Sequence, residues 1–220
     1  MDRITFDKNT PKTFILAAEN WPDENFGIDQ VWSLVFNYAD SHPFHLYTTY
    51  GLQARSVQVF PEIIKDNQAL NADEYFAQPP SVTRYTPGFL RVAYMFKFGL
   101  DVEFDALAPE PFALAGTISL KNQSPHSLGF KRALISHLHP LDKGFRTRAE
   151  KIGMHQILSG KAGSLCPVMV MSGGPSAANA PFPALTLPLQ LASGETHSAT
   201  WALAARRTQE ESFKSAWRLS

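Results

Sequence analysis

The 220 residues hold 20 Lys and Arg against 20 Asp and Glu, a formal net charge of zero at pH 7. A chain so balanced has none of the basic field that nucleic acid or an anionic membrane surface would need, so neither is expected as a partner. The single cysteine, Cys166, excludes an internal disulfide, and no basic region leads into a long apolar run near Met1, which points to a soluble cytoplasmic protein of one large domain.

Sixteen prolines and sixteen phenylalanines, with few helical patterns, favour strands separated by turns. "FILAA", Phe14 to Ala18, is too short for a signal peptide or a membrane span. In the polar, proline-bearing stretch "ENWPDENFG", Trp21 reads as an exposed ring on which a sugar could stack. Strands are then predicted at "QVWSLVFNY" and "HLYTTYGLQARSVQVF".

From Leu90 to Ala106 every even position is apolar or aromatic, the period of a strand. The run is too long for one strand, so it folds back at Gly99, through a three-residue loop Lys97-Phe98-Gly99 that pairs Phe96 with Leu100. This register sets Met95 opposite Asp101, Ala93 opposite Glu103 and Arg91 opposite Asp105. The three carboxylates therefore form a solvated sheet face with a cross-strand ion pair. A single stretched row cannot wrap a metal ion, and no metal is expected.

Further strands follow at "FALAGTISLKN", "GFKRALISHLHP", "GMHQILSGK" and "CPVMVM". His137 and His139 share one face of their strand, where they could bind zinc or hydrogen-bond a sugar hydroxyl. A metal normally needs a third and fourth ligand and none stands out, so both are kept as candidate sugar contacts, with His155 and His197 as residues that could join them in space. Cys166, beside Pro167 in an apolar strand, reads as a buried structural thiol without a role. "SGGPSAANAPFP", Ser172 to Pro183, reads as a long exposed connector or rim, and it matches no phosphate-binding motif, so no nucleotide or other cofactor is indicated.

In "ALTLPLQLA" the leucines 185, 187, 189 and 191 share a face, with Pro188 outward as on an edge strand. "SGE" then turns the chain into "THSATWALAA", predicting a second hairpin in which Ala199, Trp201 and Leu203 face inward. Thr208 and Glu211 fit a capping box, and Phe213, Ala216 and Trp217 recur at helical spacing. Trp201 and Trp217 are both read as packing residues. The fold class is all-β, an antiparallel two-sheet sandwich over residues 1–206, with 207–220 as a C-terminal helix or the start of a linker.

Read together, "YTPGFLRVAYMFKFGLDVEFDALAPEPFALAGTISLKNQSPHSLGFKRALISHLHP" resembles the N-terminal β-supersandwich, galactose-mutarotase-like domain of glycoside hydrolases and phosphorylases whose catalytic part is an (α/α)6 barrel, such as the cellobiose phosphorylase group. Softer support comes from "PLQLASGETHSATWALA", similar to the closing hairpin of such domains. The resemblance implies that the carboxylates of glycosidic cleavage belong to a helical catalytic domain or subunit, and that this chain carries no catalytic residue. It would support substrate binding or assembly, with carbohydrate as the ligand. Two alternatives use the same fold. One is a mutarotase-like aldose epimerase, with His137 or His139 as acid and Glu195 or Glu150 as base, although the motif contexts expected around the histidines are missing. The other is a module that binds a glycan or a partner through its concave sheet.

Overall fold

Alternating side chains write most of this molecule, which is seen here as a computed structural model describing residues 13–18, 31–36, 42–141, 144–179 and 182–220. Among these residues the strands run in chain order as β1 (Thr13–Leu16), β2 (Trp32–Phe36), β3 (Phe44–Thr48), β4 (Ala54–Lys65), β5 (Gln68–Ala69), β6 (Phe76–Thr86), β7 (Phe89–Phe96) and β8 (Leu100–Leu107). They continue as β9 (Ala113–Asn122), β10 (Leu128–Pro140), β11 (Gly144–Ile152), β12 (His155–Ala162), β13 (Cys166–Met171), β14 (Ser176–Ala178), β15 (Ala184–Leu191) and β16 (Thr196–Arg206), before helix α1 (Gln209–Leu219). The first sheet has the order β1-β2-β3-β4-β10-β15-β14, with β5 on β4; the second is β11-β12-β13-β16-β9-β8-β7-β6. Every described pairing is antiparallel, so the chain is an all-β two-sheet sandwich with one C-terminal helix, as its sequence implies.

The hairpin β7–β8 has the predicted register, Arg91 opposite Asp105, Ala93 opposite Glu103 and Met95 opposite Asp101. Gly99 turns it with φ +88°, a conformation that a side chain would strain, and a Cβ there would also lie 2.9 Å from the Cβ of Ser124. Leu90, Val92, Tyr94, Phe96, Leu100, Val102, Phe104 and Ala106 are all buried, which leaves the acidic row outside. Arg91 forks onto Asp105 through Nε at 2.6 Å and Nη2 at 2.7 Å, and its Nη1 reaches Glu103 at 3.2 Å. One guanidinium thus serves two carboxylates, and the row is a solvated, ion-paired surface.

The core fills the space between the sheets. Trp201 of β16 stacks on Phe104 of β8 with centroids 5.3 Å apart, and Phe104 meets Phe44 of the facing sheet at 5.7 Å. Trp32 and Tyr50 pack edge to face at 5.7 Å within the same core. Tyr50, Gly51 and Leu52 all take positive φ, which is why the single predicted run "HLYTTYGLQARSVQVF" becomes two strands, β3 and β4.

Two expectations are corrected. β15 and β16 do not form a hairpin: β15 pairs with β10 and β14 in the first sheet, and β16 with β9 and β13 in the second. Their leucine and tryptophan faces point toward the same interior from opposite layers, so a shared pattern reports facing and not neighbourhood. Asn122 clamps this crossover. Fully buried, it donates from Nδ2 to the carbonyls of Leu191 and Ala192 at 3.0 Å each and of His126 at 2.7 Å, while its Oδ1 accepts from the backbone N–H of Ser124 at 2.9 Å. The second correction concerns "SGGPSAANAPFP", which contains the edge strand β14. Ser176, Ala177 and Ala178 have no strand propensity of their own, but the open edge of β15 supplies their partners. Pro188 lies beyond the end of that pairing with its ring exposed, as an edge proline should.

Helix α1 starts in the predicted capping box of Thr208 and Glu211. Its stripe of Phe213, Ala216 and Leu219 lies on the outer face of the second sheet against Val168, Val170, Ala202 and Ala204. Trp217 falls outside this stripe and stays 49% exposed, unlike Trp201, which is fully buried as expected. Cys166 is only half buried, its thiol 3.4 Å from the Arg207 carbonyl at the start of β13. No helix among the described residues is long and apolar enough to cross a membrane.

Replacing Asn122 by Ala removes donors from three carbonyls at the crossover from β15 to β16. Urea denaturation is expected to show a loss of about 2–3 kcal/mol, and Asn122→Asp, which offers those carbonyls no donor, a loss at least as large.

Candidate functional site

Because Phe130, Leu134 and Leu138 of β10 point into the core, the intervening Ala133, Ile135, His137 and His139 face out of the first sheet. Opposite them on β4 stand Glu62, Phe60, Gln58 and Ser56 in that order. Phe60, Ala133, Ile135 and Ala184 form a small apolar cluster at the centre of this outer face. Polar groups flank it: His137, His139 and Gln58 on one side and Glu62 on the other. Glu62 lies four positions beyond Gln58, about 13 Å along an extended strand.

The two predicted histidines meet. Nε2 of His139 lies 3.1 Å from Nε2 of His137, and the rings stand edge to face with centroids 4.3 Å apart. One ring must donate and the other accept, so at least one imidazole is neutral while this bond lasts. Burial, the adjacent His139 and the Arg146 charge hold the His137 pKa below its ordinary value of 6.5. Phe182 packs edge-on against His137 at 5.7 Å and lies 5.9 Å from His42, whose ring covers Phe60 at 3.7 Å. Next to them Gln58 Nε2 lies 3.4 Å from His45 Nε2.

His42 and His45 therefore belong to the same face, although the sequence reading passed over them. The signal was available for His45: Phe44 and Leu46 are core residues, so the residue between them points outward. Glu62 was missed as well. It is 7% exposed, accepts a hydrogen bond from Asn71 Nδ2 at 2.8 Å, and burial raises its pKa above the usual carboxylate value. Its position inside "VFPEIIK" shows no alternation that would mark it as paired with Ala133.

The other sequence candidates lie elsewhere. Glu150 is held by Ser159 Oγ at 2.6 Å, by Arg148 and by Gln209, and Glu195 turns back in the crossover to accept from the Ala192 N–H at 2.7 Å. Neither shares a face with His137 and His139. His155 sits against Trp217, ring centroids 4.2 Å apart, outside the second sheet. His197 faces the interior, its Nδ1 3.4 Å from Nη1 of Arg132, which is fully buried and pulled down to about 10 by that burial. Trp21 lies outside the described residues. Among the described residues no three His, Cys, Asp or Glu side chains converge as metal ligands.

No protein-family model matches the chain, and no curated protein matches it in sequence. Solved structures do match. A "putative kojibiose phosphorylase" from the human microbiome aligns with a TM-score of 0.54 and 14% identity over 94% of this chain and 28% of its own. A bacterial glucoamylase complexed with acarbose aligns at 0.56 and 8% identity over 95% of this chain and 38% of its own. A "putative aldose 1-epimerase" from Escherichia coli K12 aligns at 0.55 and 9% identity over 90% of this chain and 100% of its own. The chain thus spans less than half of the phosphorylase and glucoamylase chains and all of the epimerase. At these identities the likeness is one of fold: the chain has the galactose-mutarotase-like β-supersandwich that its sequence pattern resembles, and its structural neighbours are carbohydrate-active proteins.

A lowered His137 pKa fixes the sign of one pH effect. The unfolded chain takes up the proton first as pH falls below 6.5, so the stabilisation present above that value is lost on acidification. His197, lowered by burial and by Arg132, acts in the same direction. Histidine NMR titration is expected to place the His137 midpoint below 6.5, and His139→Gln should move it upward. Chemical denaturation should find the protein less stable at about pH 5.5 than at about pH 7.5.

Proposed function

We propose that this chain is a non-catalytic, sugar-contacting β-sandwich domain or subunit of a carbohydrate-processing enzyme, glycoside hydrolase-like in its associations. Residues 1–206 supply the sandwich, and 207–220 supply the helix laid against it or the opening of a linker to a helical catalytic partner. The observation that carries this reading is the outer face of the first sheet. It gathers imidazole and amide groups beside an apolar patch, which suits hydrogen bonding to sugar hydroxyls. Glu62 on that face is covered and tied to Asn71. A ring-opening reaction needs an acid and a base reaching the anomeric hydroxyl, and Glu150 and Glu195 are engaged on other faces.

A second reading, an aldose epimerase, draws support from the match that spans the whole epimerase chain and from Glu62 sharing a face with the histidines. One set of measurements separates the two. Calorimetry across mono- and disaccharides is expected to give saturable binding that weakens about tenfold in His137→Ala or His139→Ala, the ~1.4 kcal/mol of one or two hydrogen bonds. Polarimetry on fresh glucose or galactose should show no faster mutarotation, and incubation with glycosides no hydrolysis or phosphorolysis. Mutarotation accelerated by the chain and lost in His137→Ala would establish the epimerase instead, and glycoside turnover would reject both.

A further inference from the structure

A second surface, on the opposite side of the sandwich, has the makings of a ligand site that owes nothing to the histidine face. Where the end of α1 meets the strand ends of β12 and β13, the protein forms a groove of about 300 Å³. Trp217 stands at it half exposed, with its ring 4.2 Å from His155 and stacked on Phe213 at 5.9 Å. Gln156 and Ser176 also border the groove, and Gly173 and Gly174, at φ +90° and +68°, turn the backbone beside them. At the rim Met154, 93% exposed, projects from the tip of the β11–β12 turn.

Three properties of this groove restrict what it can hold. None of the residues lining it is Asp, Glu, Lys or Arg, so it offers no counter-ion to a phosphate, a carboxylate or a cation. Its walls combine a tryptophan and an imidazole ring with short polar groups, the pairing that suits a molecule with one apolar face and a hydroxylated edge. Its volume lies at the small end of ligand sites, enough for one or two rings.

The platform is also held in place. On the flank of α1, Glu110 accepts from Ser215 Oγ at 2.7 Å, from Arg206 Nη2 at 2.6 Å and from Arg218 Nη2 at 3.1 Å, while Ala216 is fully buried against the sheet. The residue between Ala216 and Arg218 therefore presents its ring from a fixed backbone, and little ordering is left to be done when a ligand arrives.

We infer that the groove between Trp217, His155 and Gly173–Gly174 is a carbohydrate-binding subsite that stacks a neutral pyranose ring on Trp217 and hydrogen-bonds its hydroxyls through His155, Gln156 and Ser176. The test follows the Trp217 indole Nε1–H in 1H–15N NMR spectra, assigned by its loss in Trp217→Phe, while methyl α-glucoside, methyl β-galactoside, maltotriose and cellotriose are titrated in turn. At least one of them is expected to move that signal saturably. In calorimetry on a His137→Ala background, which silences the histidine face, the same sugar should bind about tenfold more weakly to Trp217→Ala, and the indole shift should need measurably more sugar in Gln156→Ala. His137→Ala should not alter it, so failure here and failure of the histidine face are read separately. If Trp217→Ala loses its helix in far-UV circular dichroism, Gln156→Ala and Ser176→Ala decide. An indole signal that none of the four sugars moves, or binding that these variants leave unchanged, overturns the inference.

Discussion

The contact between Phe44 and Phe104, with Trp201 stacked behind, joins one sheet to the other and dictates what every strand can display. Once those rings face inward, period two leaves no choice for their neighbours: each residue one step along must point to the outside of its sheet. His45 is outward because Phe44 and Leu46 are inward, and His137 and His139 are outward because Leu138 between them is inward. The polar face of the first sheet is thus a by-product of the core, placed with the rigidity of the packing that creates it.

The same constraint separates two surfaces that could serve different purposes. The outer face of the first sheet carries imidazole and amide groups around an apolar centre, while the outer face of the second is covered in part by α1, whose stripe repeats the apolar character of the strands beneath. Asn122 matters to both, since its bonds to Leu191 and Ala192 hold one of the points at which the chain leaves one layer for the other. A buried side chain that satisfies three backbone carbonyls at a crossover ties the layers more specifically than apolar packing alone, which tolerates sliding.

Much of this was legible in the sequence, and the limits were physical ones. The β7–β8 register could be read because a glycine turn and strict alternation occur together, so that fixing one pair fixed all the others. The β15–β16 pairing could not, since a period of two says which face a residue takes and nothing about which strand lies beside it. Ser176–Ala178 escaped notice because its strand character comes from the edge it joins. At the candidate site the i, i+2 spacing of His137 and His139 was enough to bring them together. The outward position of His45 could be read between Phe44 and Leu46, but placing it, His42 and Glu62 beside the two histidines needed knowledge of which strands flank β10, information carried by long-range pairing. The fate of Glu150 was hidden for the same reason, because Gln209 comes to it from a distant segment.

The most direct test of the account is a crystal structure of the chain with the sugar that calorimetry shows to bind best. A closed ring is expected on the outer face of the first sheet, with a hydroxyl taking over one side of the His137–His139 hydrogen bond and no carboxylate within bonding distance of the anomeric oxygen. A sugar clasped at its anomeric hydroxyl between Glu62 and either histidine, or one absent from that face altogether, would contradict it.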